Sequence, residues 1–111
     1  MRTFTFEVDD KSYTVKFDYN AISDIEEMTG KPIMTFLDEG SLNIIRILLW
    51  GGLKWKIAGI TKQQAGFLVE KLTNEKKLKD VINGILKVLE YSLKKVNGEE
   101  ESEEENVEGE L

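Results

Sequence analysis

Three adjacent acid pairs, Asp9-Asp10, Glu26-Glu27 and Asp38-Glu39, are the residues here whose types suit proton transfer or magnesium binding. Neighbours in sequence do not face each other on a helix, so none of the pairs converges on one reacting atom. The usual partners are also missing, because the chain has no histidine and no cysteine. That absence removes Ser-His-Asp hydrolysis, thiol chemistry, disulfides and cysteine- or histidine-held zinc. Solvation at turns and on the surface accounts for each acid pair. The doublet Gly51-Gly52 lacks the G-x-x-x-x-G-K-[ST] spacing and the preceding strand of a phosphate-binding loop. The residues therefore predict no catalytic, cofactor-binding or metal-binding set.

Tryptophan is enriched at protein interfaces, which makes Trp50 and Trp55 the next candidates. Five positions apart on a helix they point in different directions, and Trp50 is expected in the core. Trp55, between Lys54 and Lys56, is the surface candidate. Charge narrows the class of partner. Of 111 residues, 21 are acidic and 15 basic, but residues 98–111 alone contain eight Glu and no Lys or Arg. Residues 1–97 keep thirteen acids against fifteen bases, a balance without the concentrated basic footprint that nucleic acid requires. The start Met1-Arg2-Thr3-Phe4 has no apolar run of a signal peptide, so a cytosolic protein is expected.

The elements that must carry these residues follow from periodicity. Period-two alternation in residues 3–8 and 12–17, around Asp9-Asp10-Lys11, predicts a hairpin over 3–17 whose aromatic face needs cover. Asp18 or Asn20 is placed to cap a helix over about 19–29 that Gly30 ends. A short helix over 32–38 follows, closed by Gly40, and Ser41 offers the next cap. Residues 42–58 are apolar nearly all round, yet Arg46, the two glycines, Lys54 and Lys56 interrupt them, so they predict a buried helix rather than a membrane span. Each glycine costs about 1 kcal/mol in a helix, and close packing or a bend is the expected reason for the doublet. Thr61-Lys62-Gln63-Gln64 reads as a capping box opening a helix over about 62–73, and Asn74 as the cap of a longer one over 75–96. The glutamate-rich segment 98–111 is expected to be disordered. The fold class is α+β, mostly helical: one domain over 1–97, with the hairpin packed on a bundle of four to five helices.

Two stretches carry a resemblance. One is Phe17-Asp18-Tyr19-Asn20-Ala21-Ile22-Ser23-Asp24-Ile25-Glu26-Glu27-Met28-Thr29-Gly30-Lys31-Pro32, and the other is Ile44-Ile45-Arg46-Ile47-Leu48-Leu49-Trp50-Gly51-Gly52-Leu53 followed by Ile60-Thr61. Together with the order of elements over 3–96, they resemble the tail assembly chaperones of long-tailed bacteriophages and prophages. The resemblance implies a non-catalytic protein of the bacterial host cytoplasm. Such a protein holds the long, apolar, helix-rich tape measure protein soluble while tail tube protein polymerises around it. Apolar helical surface around Ile33, Phe36, Leu37 and Trp55 is expected to cover the partner, with no nucleic acid, membrane or cofactor involved. The alternative is a structural or adaptor subunit of the particle that homo-oligomerises through its hairpin edge, and more remotely a small regulator that sequesters a partner.

Overall fold

Asp9 and Asp10 both take left-handed backbone, with φ of 58° and 64°. A two-residue type I′ turn requires positive φ at both positions, and aspartate tolerates it better than most residues. In the computed structural model, which describes residues 2–96, this turn joins β1 (Thr3–Val8) to β2 (Lys11–Lys16). The antiparallel register pairs Val8 with Lys11, Phe6 with Tyr13 and Phe4 with Val15. Phe6, Val8 and Val15 are buried, while the Thr5 and Thr14 hydroxyls hydrogen-bond each other at 2.8 Å on the opposite face. The expected 98–111 tail, with its expected disorder, lies outside the described residues.

Among the described residues five helices complete the α+β fold: α1 (Tyr19–Thr29), α2 (Ile33–Leu37), α3 (Asn43–Leu53), α4 (Lys62–Asn74) and α5 (Leu78–Val96). Their ends are set by local chemistry. The Asp18 carboxylate accepts from the Ala21 N–H at 2.9 Å and opens α1, and Gly30 closes it at φ 72°, its N–H donating to the Glu26 carbonyl. The Ser41 hydroxyl accepts from the Asn43 N–H at the start of α3. At α4 the capping box is complete, since Thr61 accepts from the Gln64 N–H and Gln64 accepts from the Thr61 N–H.

Two boundaries depart from expectation. Asn74 is the last residue of α4 rather than a cap. Lys77 N–H donates to the Leu72 carbonyl and Lys76 N–H to the Thr73 carbonyl, with Lys76 left-handed at φ 60°. This is a Schellman reversal with lysine where glycine usually signals it. The other departure is α3, which stops at Leu53 instead of residue 58. The chain turns over Lys54 to Gly59, and Trp55 and Ile57 come out of the interior.

Helix α3 is the centre of the core, packed against β2, α1 and α4, while α5 lies along β1. Leu48, Leu49 and Leu53 are essentially inaccessible, and Trp50 is buried as expected. The glycine doublet lies within α3 at a close approach. A Cβ on Gly52 would stand 2.8 Å from the Phe17 ring and 3.0 Å from Val15 Cβ, and one on Gly51 would stand 2.5 Å from Ile25. Within α5, Ser92 is buried, and among the described residues its hydroxyl has no hydrogen-bond partner.

Gly52→Ala therefore sets a helix-propensity gain of about 1 kcal/mol against overpacking of two rigid, fully buried neighbours. We expect a net loss of about 1–3 kcal/mol, measured by urea unfolding with an unchanged slope.

Candidate protein-binding surface

One residue of each acid pair first considered for chemistry has a structural partner. Glu26 accepts from the Ile33 N–H at 2.7 Å and so satisfies the start of α2. Glu39 pairs with Lys31. Asp9 pairs with Lys71 at 2.9 Å, and its N–H donates to Glu75. Among the described residues no group of three or more acids is placed to hold a metal ion, and no helix is long and apolar enough to cross a membrane.

A groove of about 250 Å³ lies where β2, the 54–60 turn and α4 meet. Positions 64, 67, 68 and 71 of α4 share one helical face, and they bring Gln64, Phe67, Leu68 and Lys71 to the groove. Ile57 and Ile60 come from the turn and Tyr13 from β2. Leu68 and Ile60 form the buried floor, whereas Phe67 is 56% and Ile57 39% exposed. Tyr13 is held in place by stacking on Phe6, with centroids 5.6 Å apart. One end of the groove is charged. There the Lys71 ammonium hydrogen-bonds Asp9, and that bond, together with the lysine's charge, holds the Asp9 carboxyl below its ordinary value of 3.8. The arrangement offers an apolar slot with two large side chains standing at its rim, suited to apolar side chains of another chain.

Trp55 is placed differently. Its indole N–H donates to the Thr14 carbonyl at 3.0 Å, and the ammonium groups of Lys16 and Lys56 lie 4.7 and 5.7 Å from the ring centre. Alternation in the ladder turns the backbone groups of Glu7, Ser12 and Thr14 away from the partner strand. Trp55 thus covers an outward carbonyl of β2, and Lys77 does the same for β1 by donating to the Glu7 carbonyl at 3.0 Å. Both edges of the hairpin carry a side chain from the helical part.

Of the four residues expected to form the partner surface, only Trp55 is exposed, at 43%. Ile33 and Phe36 are buried in the core at 5% and 3%, and Leu37 is half-buried against it. This corrects the expected surface, because the five-residue helix α2 turns its apolar side inward against α1. Met34, on its other side, is 59% exposed. The groove residues were not expected. Phe67 carries the one signal that points to it, since it falls outside the Ala65, Leu68, Val69, Leu72 stripe of α4 and so has no inward slot. No family model matches the chain, and no curated protein or solved structure matches it.

Two outcomes test this geometry. Trp55→Phe removes the indole donor and leaves the Thr14 carbonyl to water. It is expected to cost about 0.5–1.5 kcal/mol by denaturant unfolding and to speed hydrogen exchange along β2. For Asp9, the folded value lies below the unfolded one, so its contribution to stability is present above pH 3.8 and fades as pH falls through the lower folded value. NMR titration should place the Asp9 midpoint below 3.8 and return it toward that value in Lys71→Met.

Proposed function

We propose that the chain is a non-catalytic tail assembly chaperone of a long-tailed phage or prophage, acting in the bacterial cytoplasm on the tape measure protein. The observation that carries the reading is the groove between Tyr13, Ile57 and Phe67, where large apolar side chains stand exposed at the rim of an apolar slot. At about 250 Å³ it lies below the roughly 300–1,000 Å³ typical of small-molecule sites. Its form suits one apolar edge of an amphipathic helix, the helix-in-groove mode of recognition. A long helical partner offers that edge repeatedly. Many copies bound through weak contacts gain from avidity, so each contact stays reversible and can be surrendered as tube protein assembles.

The capped hairpin edges weigh against the alternative of a structural subunit that oligomerises through them. Lys77 and Trp55 already occupy the Glu7 and Thr14 carbonyls that such pairing needs.

Co-expression with the large, coiled-coil-rich protein encoded immediately downstream tests the reading. The wild-type chain is expected to raise the soluble fraction of that protein and to co-purify with it. Phe67→Ser, at an exposed position, should keep the fold by circular dichroism and weaken binding about tenfold or more, equivalent to about 1.4 kcal/mol. A partner that stays insoluble, or retention of this chain in finished particles, would overturn the proposal.

A further inference from the structure

Part of the outer edge of β1 is open. Alternation in the ladder turns the backbone groups of Thr3 and Thr5 outward, as it does those of Glu7. Lys77 takes the Glu7 carbonyl, but among the described residues the Thr3 and Thr5 backbones make no hydrogen bond to any other element. Helix α5 runs antiparallel beside this edge. Its Lys77 meets Glu7, its Gly84 lies against the Phe4 ring, and its Tyr91 meets Arg2, one contact every seven residues along a single helical face. Between strand and helix lies a cleft of about 360 Å³, with Thr3 at its edge and Phe4, Gly84 and the buried Val88 among its lining.

The cleft has a polarity. Arg2 and Lys87 line it, and so does Asp80, which precedes Lys87 by about 10 Å at the helical rise of roughly 1.5 Å per residue. Among the described residues none of the three forms an ion pair. The Arg2 guanidinium lies 4.5 Å over the Tyr91 ring, so this side chain bridges strand and helix at the basic end, as Lys77 does at the other. The open edge from Thr3 to Thr5 is about 7 Å long. Bridged at both ends, it suits the end of a chain better than a strand that runs through. Antiparallel pairing is the more stable kind, and it sets the occupant's C-terminus at Arg2 and Lys87, with its earlier residues toward Asp80.

We propose that the cleft between β1 and α5 binds the extended C-terminus of a partner polypeptide as a third strand antiparallel to β1, its α-carboxylate held by Arg2 and Lys87. The last residue exchanges hydrogen bonds with Thr3, the carboxylate accepting from the Thr3 N–H, and the residue two before it does the same with Thr5. The residue between them stands opposite Phe4 and faces the floor of Phe4, Gly84 and Val88, which suits a small or β-branched apolar side chain. Main-chain bonds supply the affinity and this floor the selectivity, the strand-addition mode of recognition. A second copy of this chain is a poorer occupant, since a whole hairpin needs a longer edge and Lys77 already holds Glu7. The cleft shares no residue with the groove at Phe67, and the inference does not depend on the chaperone reading.

The probes are tetrapeptides, acetyl-Ala-Thr-X-Thr with X alanine, valine or leucine, added to the isotope-labelled full-length protein. Binding is expected to shift the Thr3, Thr5, Gly84 and Lys87 amides with a Kd of about 1 mM or tighter for at least one peptide. It should also slow hydrogen exchange at Thr3 and Thr5 while leaving Thr14, on the other edge of the hairpin, unchanged. Replacing the peptide's carboxylate by an amide, or the exposed Lys87 by glutamate (Lys87→Glu), should each weaken binding about tenfold, and the same spectra confirm the fold of the variant. Absence of a saturable shift at Thr3 and Thr5 with all the peptides, or equal binding of the amide, overturns the proposal. Shifts at Thr3 and Thr5 that grow with protein concentration in the absence of peptide would assign the edge to a second copy and overturn it as well.

Discussion

The close approach of α3 to the hairpin is the constraint on which the rest of this structure depends. A two-stranded sheet cannot stand alone in water, so β1 and β2 need an apolar partner at van der Waals distance. Gly52 admits the Phe17 ring and Val15, and Gly51 admits Ile25 from α1. The two missing side chains let one buried helix touch the sheet and its neighbouring helix within a single turn. Their propensity cost is offset by burial of Phe17, Ile25, Leu48 and Leu49, all essentially inaccessible to water.

That central contact has consequences outward. Because α3 ends at Leu53, the next residues are free to cross to the hairpin edge, where Trp55 engages Thr14. The turn then passes Ile57 and Ile60 under α4, and the groove with Tyr13 and Phe67 is formed. On the other side, the reversal at Lys76 places Lys77 against the Glu7 carbonyl and aims α5 along β1. The same turns that protect the sheet edges therefore build the apolar groove and leave Phe67 standing at its rim.

The acid pairs are used by the fold as partners for backbone N–H groups and lysines, at Glu26, Glu39 and Asp9. What the surface offers instead is shape and apolar contact in one place and a lysine-flanked indole in another. Proteins that act by holding a partner need little more than this, since reversible burial of apolar surface is non-directional and scales with area.

Much of this molecule is legible residue by residue, because the rules involved are local. Period-two alternation gave away the hairpin, Asp18, Gly30 and the Thr61-Gln64 pair marked helix ends, and the Gly51-Gly52 doublet announced close packing. The sequence also determined that no histidine or cysteine chemistry is available. The end of α3 was not legible, since Trp55 and Ile57 continue an apolar pattern and the partner of the indole is an edge carbonyl some forty residues earlier. Nor was the reversal after Asn74, where lysine takes the place of glycine. From the sequence the apolar side of α2 reads as partner-binding surface, at Ile33, Phe36 and Leu37. Only its packing against α1 decided that Ile33 and Phe36 point inward, while the meeting of β2, the 54–60 turn and α4 decided that Phe67 does not. Which apolar residues stay exposed is fixed by how many inward places the assembled elements provide, and that number exists only once they have come together.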